Sequence, residues 1–110
     1  MCIFCSISEG TIPSEVVASD ERAVAFRDIS PVAPSHIVVI PRAHHANVVE
    51  LTSADPELAA HLLSFAAAVA TQENINGFRL VFNTGADGGQ TVEHVHAHIL
   101  GGRNLQWPPG

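Results

Sequence analysis

The sequence is poor in positive charge. It has five Lys and Arg against 11 Asp and Glu, and its formal net charge is −6. A protein that binds polymeric DNA or RNA needs a basic surface to neutralise the phosphates, so the composition argues against such partners. A single phosphate group is still an acceptable ligand, because backbone N–H groups and imidazoles bind one without lysine or arginine.

Long apolar runs and a disulfide framework are also missing. The most apolar stretch, Leu58–Ala70, is interrupted by His61 and Ser64 and is too short to span a membrane. No charged segment followed by an apolar stretch marks a signal peptide. Two cysteines, Cys2 and Cys5, are too few for a disulfide scaffold, and their spacing suits a metal pair or a redox pair in a reducing compartment. We therefore expect a cytoplasmic chain without membrane contact.

What is present predicts one small α+β domain over residues 1–110. Its length fits a single domain, and 46% hydrophobic residues provide for a core. One helix is predicted, with Asp55 as N-cap, Pro56 at the first helical position and Asn76-Gly77 as the stop. Short apolar segments predict five strands, and their hairpin-length links favour an antiparallel sheet. The predicted strands are residues 15–18, 23–29, 36–40, 78–82 and 94–100.

The most informative segment is His94–Leu100, in which histidine alternates with apolar residues. In a strand, His94, His96 and His98 would project from one face. A solvated histidine face is the ordinary alternative, and a metal site made of all three would require a strong bend to bring the rings within about 2.1 Å of one ion. A neutral imidazole is a competent nucleophile, and a protonated neighbour stabilises phosphoryl oxygens or protonates a leaving amine. The pattern therefore favours chemistry at phosphorus.

A glycine-rich loop, residues 83–91, directly precedes the histidines. It lacks the spacing of a P-loop, and an ordinary hairpin connection is the alternative. Gly88 and Gly89 would let backbone N–H groups turn toward an anion, and Thr91 offers a hydroxyl to the same oxygens. The loop is thus a candidate phosphate cradle.

With these motifs the chain resembles the histidine-triad (HIT) hydrolases. His94–Leu100 matches the family signature, in which each of three histidines is followed by an apolar residue. The final Trp107-Pro-Pro-Gly110 resembles the Hint branch, the purine nucleoside phosphoramidases. Further segments match in the family's order, namely residues 2–5, 25–31, 34–36, 39–42, 88–91 and 101–103.

The resemblance implies a role for each site residue. His96 would be the nucleophile that forms a nucleotidyl-histidine intermediate. His98 would bind the phosphate and assist proton transfer, and His36 would sit behind the triad and orient its rings. Asp28 would accept hydrogen bonds from both ribose hydroxyls. The other implied substrate contacts are Asn83, Gly89 and Thr91 near the phosphate, Ile3, Phe4, Ile7, Phe26 and Ile29 in an apolar slot for a purine base, and Trp107 of the tail, which in the Hint branch reaches toward the partner's active site.

The implied fold is a five-stranded antiparallel sheet with one long helix, and two subunits would join into one continuous sheet. The implied reaction converts an adenosine or guanosine phosphoramidate into a nucleoside monophosphate and an amine. Two alternatives stay open: a dinucleoside polyphosphate hydrolase, as in the related Fhit branch, and a nucleotide-binding or interaction module. Taken singly, Asp28 also fits a surface turn, and each apolar slot residue also fits a plain core.

Cys2 and Cys5 admit three interpretations: half of a zinc site, a redox pair, or two incidental thiols. A redox pair usually follows a strand, and a zinc site needs two more ligands. The resemblance to family members with this N-terminal pair implies His44 and His94 as those ligands, with His45 as the alternative to His44. Four protein ligands leave no open position for water, so the zinc would be structural and the reaction would need no metal.

Three residues depart from the family pattern or stand outside it. Glu93 occupies a position where many relatives carry a bulky side chain, and in a strand it would face away from the histidines. Arg27, beside Asp28, is expected at the edge of the substrate site. His61 is expected to be an exposed helix residue without a role.

Overall fold

A five-stranded antiparallel sheet with the order β1-β2-β3-β5-β4 organises the chain. The computed structural model describes residues 2–110, so Met1, part of the predicted single domain 1–110, lies outside the described residues. The α+β fold and the antiparallel sheet predicted from the sequence are confirmed. The elements are α1 (Ile3–Glu9), β1 (Val16–Ser19), β2 (Ala23–Arg27), β3 (Ser35–Pro41), α2 (Val48–Ala54), α3 (Pro56–Gln72), β4 (Phe78–Val81) and β5 (Ala97–Gly101).

The long helix α3 begins where the sequence predicts and ends earlier. The Asp55 carboxylate accepts a hydrogen bond from the Leu58 N–H at 3.0 Å, and Pro56 occupies the first turn. The helix ends at Gln72 because Asn74 adopts a left-handed φ of 58°, a conformation that asparagine tolerates better than most residues. The predicted stop at Asn76-Gly77 is therefore wrong by about one turn.

The central strands bury both of their faces. On one face Ala25, Ile37 and Ile99 pack with residues of α3 such as Leu62 and Val69. On the other face Val24, Phe26, Val38 and Ile40 pack against Phe4 and Ile7 of α1. This second face also carries His98, since side chains alternate along β5 and its neighbours Ala97 and Ile99 point toward α3. We call it the site face.

Two short helices and the strand boundaries differ from the sequence prediction, and the largest strand differences are the end of β2, at Arg27 instead of Ile29, and the start of β5. The seven-residue helices α1 and α2 were not predicted. Strand β5 starts at Ala97 instead of His94, because the Val95 N–H donates to the His45 carbonyl oxygen at 2.7 Å, outside the ladder with β3. His94 and His96 therefore lie in an irregular segment that leads into β5. Among residues 2–110, no helix combines the length and the apolar character that a bilayer crossing requires.

Candidate functional site

Four aromatic rings form a row across the site face. The ring centroids are 4.9 Å apart for Phe4 and His96, 5.0 Å for His96 and His98, and 5.1 Å for His98 and His36. His36 and His96 are buried. The imidazoles of His96 and His98 thus lie side by side although only His98 belongs to a strand.

The hydrogen bond of His96 fixes its tautomer. Its Nδ1 lies 2.7 Å from the carbonyl oxygen of His94. A carbonyl oxygen only accepts, so Nδ1 donates, and Nε2 of the neutral ring keeps a lone pair. This arrangement gives His96 a free nucleophilic nitrogen.

His98 carries its hydrogen on Nε2, the nitrogen that holds the lone pair in His96, because two linked hydrogen bonds fix its tautomer. The Val32 N–H donates to Nδ1 of His36 at 3.1 Å, so the hydrogen of neutral His36 is on Nε2. That Nε2–H faces Nδ1 of His98 at 2.8 Å, so Nδ1 of His98 accepts and its own hydrogen is on Nε2. His98 therefore carries a hydrogen-bond donor where His96 carries a lone pair.

Burial keeps both His36 and His98 neutral. Desolvation lowers the pKa of His36, although the Asp28 carboxylate, 3.4 Å from its Nε2, opposes this shift. Burial, helped by the positive charges that His96 and His36 would carry, lowers the pKa of His98 to about 4. The protonated second imidazole expected from the sequence therefore does not describe the free protein at neutral pH. A bound anion would raise the pKa of His98 again.

The lowered pKa of His98 predicts a loss of stability in acid. The unfolded chain binds a proton at His98 below about pH 6.5, whereas the folded chain resists it down to about pH 4. Its stabilising contribution is complete above pH 6.5 and is lost as the pH falls toward 4. His98→Asn should flatten this part of the profile, since His36, His96 and Asp28, which surround the ring, stay in place. Urea unfolding of both proteins between pH 7 and 4.5 measures the difference, and parallel profiles would contradict the prediction.

Gln90 holds the glycine loop in place, a role that the sequence analysis missed. Its Oε1 accepts from the Gly85 N–H at 3.1 Å, and its Nε2 donates to the carbonyl oxygens of Ala46 and Val92 at 2.6 and 2.9 Å. Gly88 is required in the same loop, because a Cβ there would lie 2.4 Å from the Thr84 carbonyl oxygen. Asn83 lines a cavity beside His98, while Gly89 and Thr91 are exposed. The loop is thus fixed by hydrogen bonds and leads directly into the histidine segment.

Gln90→Glu tests this role, since the carboxylate still accepts but no longer donates to the two carbonyl oxygens. We expect amide hydrogen exchange in residues 84–92 to become about tenfold faster, the equivalent of one to two lost hydrogen bonds. Gln72→Glu makes the same change of charge on α3 and serves as the matched control. Unchanged exchange in the loop would contradict the assignment.

An apolar cavity of about 180 Å³ lies on the site face between α1 and β2. Phe4 and Phe26 meet there edge to face, with ring centroids 5.6 Å apart. Asp28 lies at its edge and accepts from the Ser30 N–H at 2.8 Å. We call this cavity the base slot, after the purine base that the resemblance stated above implies for its residues. All the predicted slot residues line it (Ile3, Phe4, Ile7, Phe26 and Ile29), together with four that were not predicted (Ile12, Pro13, Ser14 and Val38).

Arg27 also lines the base slot. Its guanidinium forms ion pairs with Glu15, at 3.1 Å, and with Glu73. The positive charge is therefore engaged by carboxylates of the β1 region and the end of α3.

Cys2, Cys5, His44 and His94 form a compact cluster in which all four ligand atoms lie within 4.8 Å of one another. Nδ1 of His94 is 3.3 Å from Sγ of Cys2 and 3.1 Å from Nδ1 of His44, and Sγ of Cys5 is 3.5 Å from both imidazoles. Tetrahedral zinc places its ligand atoms about 3.3–3.8 Å apart, so the cluster fits this ion. The Nε2–H of His94 donates to the Pro41 carbonyl oxygen at 2.8 Å, which leaves the Nδ1 lone pair facing the cluster.

Of the two candidate histidines, His44 points its Nδ1 into the cluster, whereas His45 contributes its carbonyl oxygen to the backbone of Val95. Cys2 is the N-cap of α1, and its Sγ lies 3.4 Å from the Cys5 N–H. The cysteine pair therefore lies at the start of a helix, a position that is also typical of redox pairs. The two thiols lie within hydrogen-bonding distance of the imidazoles of His44 and His94, as the ligands of a metal site would.

Two residues singled out in the sequence, Trp107 and His61, lie outside the ring row, the base slot and the cysteine–histidine cluster. Trp107 is 81% exposed, and the tail before it is held by Arg79, whose guanidinium donates to the carbonyl oxygens of Leu105 and Gln106. His61 is not a free surface residue: its Nε2 lies 2.8 Å from the Asp20 carboxylate and joins α3 to the β1–β2 turn. The expectation that His61 has no role is thus wrong for the structure, since it connects two elements.

Comparisons with known proteins find relatives of similar sequence and fold. The family model described as HIT domain matches residues 9–105. An uncharacterized HIT-like protein of Synechococcus elongatus is 50% identical over 98% of this chain and 96% of its own length. A 14 kDa zinc-binding protein of Zea mays is 46% identical over 98% of this chain and 87% of its own length. The crystal structure of a HIT family hydrolase from Legionella pneumophila superposes with a TM-score of 0.95, at 46% identity and with full coverage of both chains.

Proposed function

This chain belongs to the HIT domain family, and we propose on that premise that it hydrolyses purine nucleoside 5′-phosphoramidates through a covalent intermediate on His96. The hydrolase fold of the Legionella relative supports hydrolysis in general. The resemblance of Trp107-Pro-Pro-Gly110 to the Hint branch supports the phosphoramidate as the substrate.

The observation that carries the proposal is the opposite polarity of two adjacent imidazoles. His96 presents a lone pair on Nε2, and His98 presents a hydrogen on Nε2, with ring centroids 5.0 Å apart. Nucleophilic catalysis at phosphorus needs one group that attacks and another that protonates the leaving group. Because backbone groups and His36 fix both tautomers, the pair is oriented before the substrate arrives.

The substrate would bind with its base in the apolar slot and its ribose hydroxyls near Asp28. The phosphoryl group would then lie at His96 and His98, where its negative charge raises the pKa of His98 and favours the ring protonated at both nitrogens. The hydrogen added to Nδ1 faces His36, whose Nε2–H would then turn to the Asp28 carboxylate, 3.4 Å away. In the first step the bond from Nε2 of His96 to phosphorus forms, the P–N bond breaks, and the protonated His98 gives its Nε2 proton to the departing amine and becomes neutral. In the second step water attacks phosphorus, the bond to His96 breaks, and His98 takes the proton of that water.

We also propose that Cys2, Cys5, His44 and His94 hold one structural zinc ion. The ligand distances and the second hydrogen bond of His94 support this, and so does the zinc-binding relative in maize. When bound, the ion supplies cross-linking and no open coordination position. Its ligand His94 is also the residue whose carbonyl oxygen orients His96. By fixing His94, the ion would therefore also restrict the position of the nucleophile.

The chain is further proposed to act in the cytoplasm as a homodimer that forms one continuous sheet. β4 is the last strand of the order β1-β2-β3-β5-β4, and an edge strand presents unpaired backbone groups that a second copy can satisfy. In such a dimer the exposed Trp107 would be available to the partner's site.

A substrate panel tests the proposed activity. Purified protein is given an adenosine 5′-phosphoramidate, a diadenosine polyphosphate and AMP alone. We expect turnover of the phosphoramidate with a kcat/KM at least about 100-fold above that of the polyphosphate, since a few kcal/mol of transition-state stabilisation separate the two substrates. Preferred turnover of the polyphosphate would favour the Fhit-like alternative, and AMP binding without any turnover would favour the binding module.

A further inference from the structure

Cys2 and Cys5 are the only thiols in the sequence, and the fold brings them together. Their Sγ atoms belong to a group of four ligand atoms that all lie within 4.8 Å of one another. Both thiols are free and partly accessible to solvent. Rotation of the two side chains is therefore enough to bring the sulfur atoms to the distance of a disulfide bond.

Both sulfurs would be thiolates when the cluster holds zinc, because a thiol must lose its proton to become a metal ligand. The thiolate is also the form of cysteine that reacts with oxidants. Zinc has no redox chemistry of its own. The two sulfurs are therefore the atoms of the cluster that an oxidant changes first.

The cluster can be reached from solvent. His44 is exposed, whereas His94 is fully buried. Sγ of Cys5 lies 3.5 Å from Nδ1 of the exposed His44, and Sγ of Cys2 lies 3.3 Å from Nδ1 of the buried His94. An oxidant that enters from solvent therefore meets Cys5 first, with the sulfur of Cys2 directly behind it.

The two sulfurs also connect the first turn of α1 to the histidine segment. A disulfide withdraws both of them from the cluster, and two imidazoles do not complete the four-ligand shell of structural zinc. The first turn of α1 then loses this connection. Ile3 and Phe4 lie in that turn and line the base slot, so the state of the sulfurs is connected to the nucleotide site.

We propose that Cys2 and Cys5 form an oxidation site, at which a hydroperoxide produces a disulfide, releases the zinc ion and weakens nucleotide binding. This inference rests on the zinc site proposed above and is independent of the reaction at phosphorus. It adds a covalent modification, the chemical class of its oxidant and an effect on the base slot. In a reducing compartment the thiols persist, so the disulfide marks a rise in hydroperoxide.

The oxidation is a balanced two-electron reaction. With hydrogen peroxide, the Cys5 thiolate attacks one oxygen, the O–O bond breaks, and the departing hydroxide takes up a proton to become water. Cys5 is then a sulfenic acid. The Cys2 thiolate attacks the Cys5 sulfur, the S–S bond forms, and the S–O bond breaks with release of a second hydroxide, which also becomes water. The two sulfurs lose the two electrons that the peroxide gains.

The test treats zinc-loaded protein with a small molar excess of hydrogen peroxide. Both free thiols of the chain should disappear while about one zinc per chain is released to a chromogenic chelator. The peptide that contains both cysteines should become lighter by about 2 Da, whereas each added oxygen would make it heavier by about 16 Da. A dithiol reagent supplied together with zinc should restore the thiols and the bound metal.

Calorimetric titration with AMP measures the effect on the base slot. The Kd for AMP should rise about tenfold in the oxidised protein, the scale of one lost apolar side-chain contact. The melting temperature should fall as far as chelation of the zinc alone lowers it, because both treatments remove the same ion.

Two matched variants separate the disulfide from the metal. The side chain of His44 points into the cluster, whereas the backbone of His45 bonds to Val95. His45→Ala should respond to peroxide as the unmodified chain does. His44→Ala should form the disulfide but release no zinc, and oxidation should change neither its melting temperature nor its affinity for AMP any further. A second fall of either quantity in His44→Ala would contradict an effect that passes through the zinc.

The outcomes separate this inference from the metal site and from the proposed reaction. Retention of zinc and of both thiols, under conditions that oxidise dithiothreitol, would overturn the oxidation site and leave the metal site intact. Sulfinic acid in place of the disulfide would also overturn it, and an unchanged affinity for AMP after release of zinc would overturn the connection to the base slot. Absence of zinc from the untreated protein would overturn both the inference and the metal site. None of these results depends on turnover of a phosphoramidate.

Discussion

Replacement of His96 by alanine should lower kcat/KM for an adenosine phosphoramidate by at least about 10⁴-fold, the scale of loss seen when an enzyme loses its nucleophile. The methyl group of alanine cannot form the covalent intermediate, and His98 has no lone pair facing the site because its Nδ1 is engaged with His36. Binding of AMP should survive, since the base slot and Asp28 lie on other elements. Steady-state kinetics and calorimetric titration with AMP measure the two quantities.

His61→Ala serves as the control, because it removes an imidazole from α3, far from phosphorus in this account. His96 is buried, so thermal unfolding of each variant must show that the fold persists. Turnover by His96→Ala within about tenfold of the unmodified chain would overturn the assignment of the nucleophile, and loss of AMP binding in a folded His96→Ala would contradict the separation of binding from chemistry.

Removal of zinc should lower the melting temperature by about 15 °C. An ion present at about 1,000 times its dissociation constant stabilises the folded state by about 4 kcal/mol, and a domain of this size loses about 4 °C per kcal/mol. Metal analysis of untagged protein should find about one zinc per chain, the stoichiometry of a four-ligand structural site. Calorimetry before and after chelation measures the shift.

His44→Ala and His45→Ala are a matched pair for the same site. Of these two residues, only His44 contributes a side-chain nitrogen to the cluster, whereas the backbone carbonyl oxygen of His45 accepts from the Val95 N–H. His44→Ala should therefore lose zinc and the associated stability, and His45→Ala should keep both. A zinc-free preparation with an unchanged melting temperature would reject the metal site.

The loss of stability expected on removal of zinc follows from the helix α1, which the ion would hold. α1 has seven residues, and so short a helix is not stable by itself. Phe4 and Ile7 attach it to the sheet on one side, and Cys2 and Cys5 attach it to the histidine segment. Release of α1 would also remove one wall of the base slot, so weaker nucleotide binding should accompany the lower stability.

Local signals in the sequence were sufficient for much of the fold. Asp55 and Pro56 mark the start of α3 because capping and the fixed φ of proline act within a few residues. The start of β5 was not predictable in the same way. The alternation from His94 onward is strand-like, but the Val95 N–H bonds to the His45 carbonyl oxygen instead of β3, and a contact across 50 residues leaves no local pattern.

The short helices were missed for related reasons. α1 is stabilised by contacts of Phe4 and Ile7 with strands far along the chain. Its N-cap is Cys2, which is not among the residues that usually mark a helix start. Propensity alone does not predict so short an element.

At the site, the residue types were recognisable and their protonation was not. The identity of the nucleophilic nitrogen depends on which backbone groups face each ring: the His94 carbonyl oxygen for His96, and the Val32 N–H for His36. The lowered pKa of His98 likewise comes from burial among other side chains. Gln90 was missed because an amide between Gly-Gly and threonine carries no signal of the three backbone groups that it joins.

The central claim is that Nε2 of His96 bonds covalently to phosphorus. Its most direct test is rapid acid quenching during turnover of an adenosine phosphoramidate of an aromatic amine, whose weak basicity speeds the first step, followed by peptide mass spectrometry. We predict an adenylyl group on the peptide that contains His96, formed together with a burst of about one amine per active site. An adenylyl group on another residue, or inversion of configuration at a stereochemically defined phosphorus, which requires a single displacement by water, would contradict the account.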